Sequence, residues 1–389
     1  MDLFSSFIPM DRRQALAQDS ALPEQTHGAA LLSDLAGYTA LSSAFIAAHG
    51  PERGGEALFR ALAPVFDAQV EAVHAYAGSV LGFSGDALTC WFDNDTGARA
   101  VAAATTLQAR IHTTPPLALP DGAGWSLALK TVVATGPARR FLVGDPAHGL
   151  FDVLAGPPLA RAGAGDPLAH GGDVLVDEVT AAATAATGTW RTDADASGRF
   201  LVLDATPPDL PGPTPWPPLA PAALTPAQIR PWLPTVLWER LEHDPDFLVE
   251  LRPAVALFAR FSGVDYDRPP AAARLDTYIR WVQMVLTQHG GTLLQLTVGE
   301  KGSYFYASFG APRAHGDDPA RAAAAALVLR SPPPRCSFIR GVQIGLAHGL
   351  VYAGPYGGSA SRTYGARGAM VNLAARLMQA AAPGGILAT

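Results

Sequence analysis

Two aspartates head the list of residues that could do chemistry. LLSDLAGYTAL (residues 31–41) is a strand pattern that ends at Asp34, and GSVLGFSGDALTCWF (78–92) carries Asp86 just past Ser84-Gly85. If the two strands are neighbours, both carboxylates converge at one end of a sheet. Hard oxygen donors placed so suit two divalent cations that grip a polyphosphate. Either aspartate alone reads as a turn residue satisfying local N–H groups; the pair, in this order and context, favours the metal reading. LAGYT after Asp34 then offers backbone N–H groups at a helix start, with Thr39 as a hydroxyl cap, and such a terminus attracts phosphate. Further on, MVNLAARLM (370–378) places Asn372 and Arg376 one helical turn apart on one face. An amide there can orient a ribose oxygen, and a guanidinium can stabilise charge developing on a phosphate. The same helix packs through Val371, Leu373, Ala374 and Leu377, which is compatible with either role for its polar pair.

These residues are divided between two related stretches of chain. VALFARFSGVD (255–265) and GGTLLQLTVGEKGSYFYASFG (290–310) repeat the first half's patterns, with Arg260 where Asp34 stood and Glu300 where Asp86 stood. Lys301 follows Glu300 at a hairpin tip, where it reads as a donor to a base nitrogen or a phosphate, or as a surface lysine. Lys130 in ALKTVVATG matches Gln343 in VQIGLAHG. One copy thus kept acids and a lysine suited to triphosphate, and the other an amide and a guanidinium.

The elements that must position these residues read as strand, helices, hairpin, helix and strand in each half: 29–33, 39–76, 80–92, 96–112 and 126–135 in the first. In the second, helices are expected at 274–289 and 319–329, a hairpin at 292–308 and a strand at 342–346. This predicts an α+β fold, two ferredoxin-like βαββαβ domains paired about a pseudo-twofold axis in one chain. The expected organisation is an amino-terminal arm (1–26), a metal-binding domain (27–204), a Pro-rich linker and helix (205–250) and a second domain (251–389). The linker's prolines argue against helix over 205–234. The second domain ends soon after GGIL, whereas the matching GGDVLVD of the first is followed by more helix and strand, so a truncated second domain is expected.

Composition narrows the function classes. The 389 residues are 49% hydrophobic and 16% charged, a globular balance with room for two cores. A net charge of −6 leaves no Lys/Arg stripe for sequence-independent nucleic-acid binding. Cys90 and Cys336, one per half, form no CxxC, which reads as a reducing compartment. The absence of a basic-then-apolar leader and the shortness of runs such as AAAAALVL (322–329) predict no membrane span and a cytoplasmic location. No HExxH, GxSxG, GxGxxG or P-loop occurs in its required context, and Cys90, His348 and the HDPD run at 243–246 read as structural.

On LLSDLAGYTAL, FSGDALTCWF, LTVGEKGSYFYASFGAP and TYGARGAMVNLAARL, in that order, the chain resembles class III nucleotidyl cyclases, in particular the tandem catalytic pairs of bicarbonate-responsive soluble adenylyl cyclases. The resemblance runs from about residue 27 onward. It implies an adenylyl cyclase that converts ATP to 3′,5′-cyclic AMP and pyrophosphate at a site formed by the two domains, with two Mg²⁺ or Mn²⁺ ions. By the same resemblance Asp34, Asp86 and the Leu35 carbonyl hold the ions, and Gly37, Tyr38, Thr39 and Lys130 take the triphosphate. Lys301 reads adenine, Asn372 the ribose, and Arg376 stabilises the transition state. The mirror site around Arg260 and Glu300 is expected to be inactive. Downstream regulatory modules found in larger relatives are absent from this sequence. Three departures accompany the resemblance. Gly365 stands where the family has a base-reading Thr or Asp, and Gly82 where bicarbonate-responsive members have a lysine. Arg161 remains as a candidate anion arginine. A catalytically silent nucleotide-binding sensor and a guanylyl cyclase are the alternative readings.

Overall fold

A computed structural model describes residues 3–119, 122, 124–192, 198–244, 249–298 and 303–389, apart from the side chains of 51 and 52. It forms two compact units. The first comprises Met1–Arg139, Ala155–Leu224 and Gly357–Thr363; the second comprises Arg140–Leu154, Thr225–Tyr356 and Tyr364–Thr389.

The first unit opens with a short helix α1 (Met10–Ala17) and the strand β1 (Gln25–Leu35). Ala29, Ala30, Leu31 and Ser33 of β1 are all buried, as expected of a central strand covered on both faces. Helix α2 (Tyr38–Ala75) follows, bent at Gly50 (φ 77°, ψ 166°), where the next residue, Pro51, disfavours helical backbone in its predecessor. The hairpin β2 (Ser79–Ser84) and β3 (Ala87–Asp93), helix α3 (Ala98–Thr113) and the minor pair β4 (Leu117–Ala118) and β5 (Gly124–Trp125) come next. After them run β6 (Leu129–Val143), β7 (Phe151–Ala155), α4 (Pro157–Gly165), β8 (Val174–Asp177), α5 (Glu178–Ala183), β9 (Gly188–Thr192) and β10 (Arg199–Leu203), the far end of β6 and all of β7 but Ala155 falling in the second unit. The main sheet has the order β2-β3-β1-β6-β8-β10-β9, so β1 lies between β3 and β6. Both neighbours are antiparallel to it.

The second unit contains α6 (Pro226–Ile229), α7 (Thr235–His243), β11 (Glu250–Phe261), α8 (Ala271–Gln288), β12 (Thr292–Thr297), β13 (Ser303–Phe309), α9 (Asp318–Leu329), β14 (Val342–Gly357), β15 (Arg362–Arg367), α10 (Ala369–Ala380) and β16 (Ile386–Ala388). Its sheet order β12-β13-β11-β14-β15 repeats the β2-β3-β1-β6 succession of the first, and β16 joins β14 in parallel. The registers repeat as well: Asp34 pairs with Lys130 across β1 and β6, and Arg260 with Gln343 across β11 and β14. Helix α8 buries Leu275, Tyr278, Ile279, Val282, Val285 and Leu286 at helical spacing. Residues 140–154 belong to this unit through α8. Gln283 Nε2 donates to the Gly149 carbonyl (2.7 Å) and Oε1 accepts from Asp145 N–H (2.7 Å), while Asp276 accepts from Gly144 N–H (2.9 Å).

The α+β expectation holds, and the central strands, helices and hairpins fall close to their sequence-read positions. Three details differ. Strands expected to stop at 135 and 346 run on to Val143 and Gly357, because β1 and β11 pair with them as far as Arg139 and Ala353, and β7 and β15 pair with β6 and β14 as well. The expectation of no helix over 205–234 fails at α6, where Pro226 sits at the first helical position, which needs no N–H, and Thr225 and Gln228 form a capping box. Among the described residues no helix is long and apolar enough to cross a membrane.

Candidate functional site

Asp34 is the penultimate residue of β1, and its place is fixed from three sides. Ser33, buried beside it, donates its hydroxyl to Gln69 Oε1 of α2 at 2.8 Å. On β6, Gln108 of α3 donates to the Leu129 and Asp173 carbonyls at 2.8 and 2.9 Å, steadying the strand that presents Lys130. On the other side, the β1–β3 register runs to Ser33 opposite Leu88. One step further sets Asp34 across from Ala87, the residue after Asp86. Asp86 itself occupies the two-residue turn closing β2 and β3, with Gly85 at φ 67° supplying the turn's left-handed position. The two sequence-predicted carboxylates thus stand at the same sheet end, one on β1 and one in the turn leading into its neighbour β3, with Leu35 ending β1.

Beyond Leu35 the chain turns through Gly37, whose φ of 77° lies in the left-handed region that favours glycine, and enters α2 at Tyr38. Thr39 was expected to cap this helix. Instead Gly37, which has no side chain to cap with, is the cap residue. The reason is one of register: Thr39 is already inside the helix, where its hydroxyl cannot reach forward onto the first-turn N–H groups.

Lys130 does not stand alone. Its Nζ lies 2.7 Å from Asp34 Oδ2 and 3.0 Å from Asp166 Oδ1, the latter on a 3₁₀ turn (Asp166–Leu168) after α4. Burial lowers the ammonium's pKa, yet the hydrogen bonds and charges of Asp34 and Asp166 outweigh it and hold the pKa above its ordinary value. Asp166 is a residue that sequence reasoning missed; Gly-Asp-Pro reads only as a turn.

Arg161 donates through Nε to Asp177 Oδ2 (2.6 Å) and through its terminal nitrogen to the Thr135 carbonyl (2.5 Å). Asp177 in turn caps α5 by accepting from Thr180 N–H. The arginine is therefore a tie between α4, β6 and β8 rather than an open anion receptor. At Gly82 no atom lies within 4 Å of where a side chain would begin.

In the second unit, Asn372 and Arg376 are both exposed on one face of α10, and among the described residues neither side chain makes a hydrogen bond or ion pair. The opposite face is pinned to β14: Ala374 and Met378 are buried, and Gly345 of β14 meets their backbone so closely that a Cβ there would lie 2.1 Å from the Ala374 carbonyl oxygen. Gly365 has a packing cause too. A Cβ at this position would sit 2.8 Å from the Tyr356 ring and 3.3 Å from its hydroxyl. That ring is itself covered by the Arg367 guanidinium, 3.8 Å from its centroid. Where a base-reading side chain was sought, this chain has a tyrosine. Lys301 and Glu300 lie outside the described residues.

The donor set suits divalent metal ions in kind: two carboxylates at one sheet end, hard oxygen donors of the type such ions take. Among the described residues no cluster of three or more His, Cys, Asp or Glu side chains forms a self-sufficient metal cage. A metal here would depend on a ligand's oxygens, and would meet Lys130 already paired with Asp34.

No protein-family model matches the chain, and no curated protein matches it in sequence. Solved structures do. A class III adenylyl cyclase-like ATP-binding protein from Pseudomonas aeruginosa is similar with a TM-score of 0.62 at 14% identity, over 94% of this chain and 84% of that one. The guanylate cyclase domain of RhGC from Catenaria anguillulae, solved with GTP, covers 47% of this chain and all of its own length (100%) at 16% identity and a TM-score of 0.38. The adenylyl cyclase CyaB from P. aeruginosa covers 46% of this chain and 95% of its own at 18% identity and a TM-score of 0.37. Through nearly its whole length the chain has the fold of a class III adenylyl cyclase-like protein.

Proposed function

We propose that this protein is a nucleotidyl cyclase that converts ATP to 3′,5′-cyclic AMP and pyrophosphate. The observation that carries the reading is the β1–β3 register, which sets Asp34 and Asp86 at one sheet end, with two residues between the end of β1 and the start of α2. Asp34 and Asp86, with the Leu35 carbonyl, would hold two Mg²⁺ or Mn²⁺ ions. When bound, these would neutralise charge at the phosphates and lower the pKa of the ribose 3′-hydroxyl. The N–H groups following Gly37, at Tyr38 and Thr39, receive the phosphates, and Lys130 adds a positive charge. From the second half, Asn372 orients the ribose and Arg376 takes up charge as the 3′-oxygen attacks the α-phosphate and pyrophosphate leaves. Lys301 is assigned to the base by resemblance, and Tyr356 stands beside Gly365 where a base reader is otherwise found.

Purified protein supplied with Mn-ATP is expected to release cyclic AMP and pyrophosphate in equal amounts, and faster than it cyclises GTP. Asp34→Ala, Asp86→Ala and Arg376→Ala should each reduce turnover by at least about a hundredfold, in line with removal of a group that acts on transition-state charge. Glu300→Ala should leave it largely intact. Normal nucleotide binding with no pyrophosphate release would replace this reading by a second one, a nucleotide-binding regulator. The Lys130–Asp34 ion pair favours that second reading, as does the description of the P. aeruginosa structure as an ATP-binding, cyclase-like protein.

A further inference from the structure

Lys130 bridges two carboxylates of different standing. Asp34 is its direct cross-strand partner on β1, and Asp166 reaches it from the turn after α4, 36 residues along the chain. The three side chains are 19%, 22% and 31% exposed, so solvent screens their charges only in part. An ammonium 2.7 Å from Asp34 Oδ2 already neutralises the carboxylate that a divalent cation would use, so the two cations compete for its charge. With its three N–H donors, the ammonium can give up one partner and keep the other.

We infer that Asp166 is a positioning residue: it retains Lys130 when a divalent cation takes Asp34, so that the lysine exchanges Asp34 for a ligand phosphate without leaving its place. The inference rests on the proposed metal role of Asp34. Without metal, Lys130 neutralises Asp34 and keeps two adjacent acids from repelling. With metal, Asp166 keeps the ammonium on β6, directed along the sheet end where α2 begins. The lysine thereby couples the two ligands: metal frees the ammonium that phosphate then receives, and each ligand assists the other.

The test is titration of nucleotide-free protein with Mn²⁺ alone, followed by the electron paramagnetic resonance of the free ion. Lys130→Met removes the competing cation and should tighten Mn²⁺ binding about fivefold, the scale of one partly screened ion pair. Asp166→Asn leaves Asp34 as the lysine's only partner and should weaken Mn²⁺ binding by about the same factor. Asp166→Glu should restore it. In turnover, Asp166→Asn should raise KM for Mn-ATP more than it lowers kcat. Circular dichroism of each variant separates these effects from loss of fold. Equal Mn²⁺ affinity in the wild type, Lys130→Met and Asp166→Asn, with binding still abolished by Asp34→Asn, would overturn the exchange while leaving the metal role standing. Mn²⁺ binding that ignores Asp34→Asn would overturn both.

Discussion

His74 shows how a single residue's surroundings set a measurable property. It lies near the end of α2 with its Nε2 buried and without a hydrogen-bond partner. Burial, and then the nearby Arg13 guanidinium, depress its pKa to about 4, so the folded protein holds it neutral. An unfolded chain would protonate the same ring near 6.5. Its contribution to stability is therefore complete above about pH 6.5 and is lost as pH falls from there toward 4. The urea midpoint should drop more between pH 7 and 5 in the wild type than in His74→Leu; matching drops would refute the assignment. Residues of this kind were illegible in the sequence because their states depend on distant neighbours. Asp34, Asp86, Asn372 and Arg376 could be picked out, since each lies in a local pattern that declares its element. Asp166 and Tyr356 could not: one matters through a lysine on another strand, the other through a glycine across a strand pair.

At the scale of elements, α10 makes the clearest case. Its face bearing Asn372 and Arg376 is held outward because the opposite face lies on Gly345 with no space for a side chain. Gly345→Ala should push the helix off β14 at a cost of about 1–3 kcal/mol. A lowered denaturation midpoint together with a fall in kcat checks this, and an unchanged midpoint contradicts it. Helix and strand identities were readable from hydrophobic period. The lengths of β6 and β14 were not, because each depends on how far its neighbours, β1 and β7 or β11 and β15, run beside it. The start of α2 was misread for a related reason: the sequence favours a hydroxyl cap at Thr39, while the cap lies two residues sooner, at a left-handed glycine.

For the whole molecule, the notable fact is that neither compact unit is a continuous stretch of chain. The Pro-rich segment invites a cut near residue 224, yet residues 357–363 are counted with the first unit and 140–154 with the second. A chain ending at 224 would lack the segment whose Ser359 N–H is accepted by Asp67 and whose Ala360 carbonyl receives Arg13. A chain beginning at 225 would leave Gln283 and Asp276 of α8 without the backbone groups they bond. Each half made alone should melt at a lower temperature, and exchange amide hydrogens faster, than the same residues in the intact chain. Halves as stable as the parent would refute this. The two-part repeat was visible in sequence. The interleaving was not, because hairpin tips such as 144–149 and 357–361 carry no pattern that names their partners.

The Arg13–Ala360 hydrogen bond has a consequence in time. Arg13 is fully buried, donates to the Ile8 carbonyl and at 2.6 Å to that of Ala360, and Ala360 stands 347 positions after the arginine. During synthesis at about 5–20 residues per second, the arginine leaves the ribosome roughly 20–70 s before its second acceptor exists. Until then a cation destined for the interior has no complete burial site. The first-made segment of this protein is thus among the last to be finished, and a nascent chain released early would carry that unfinished seam on its surface.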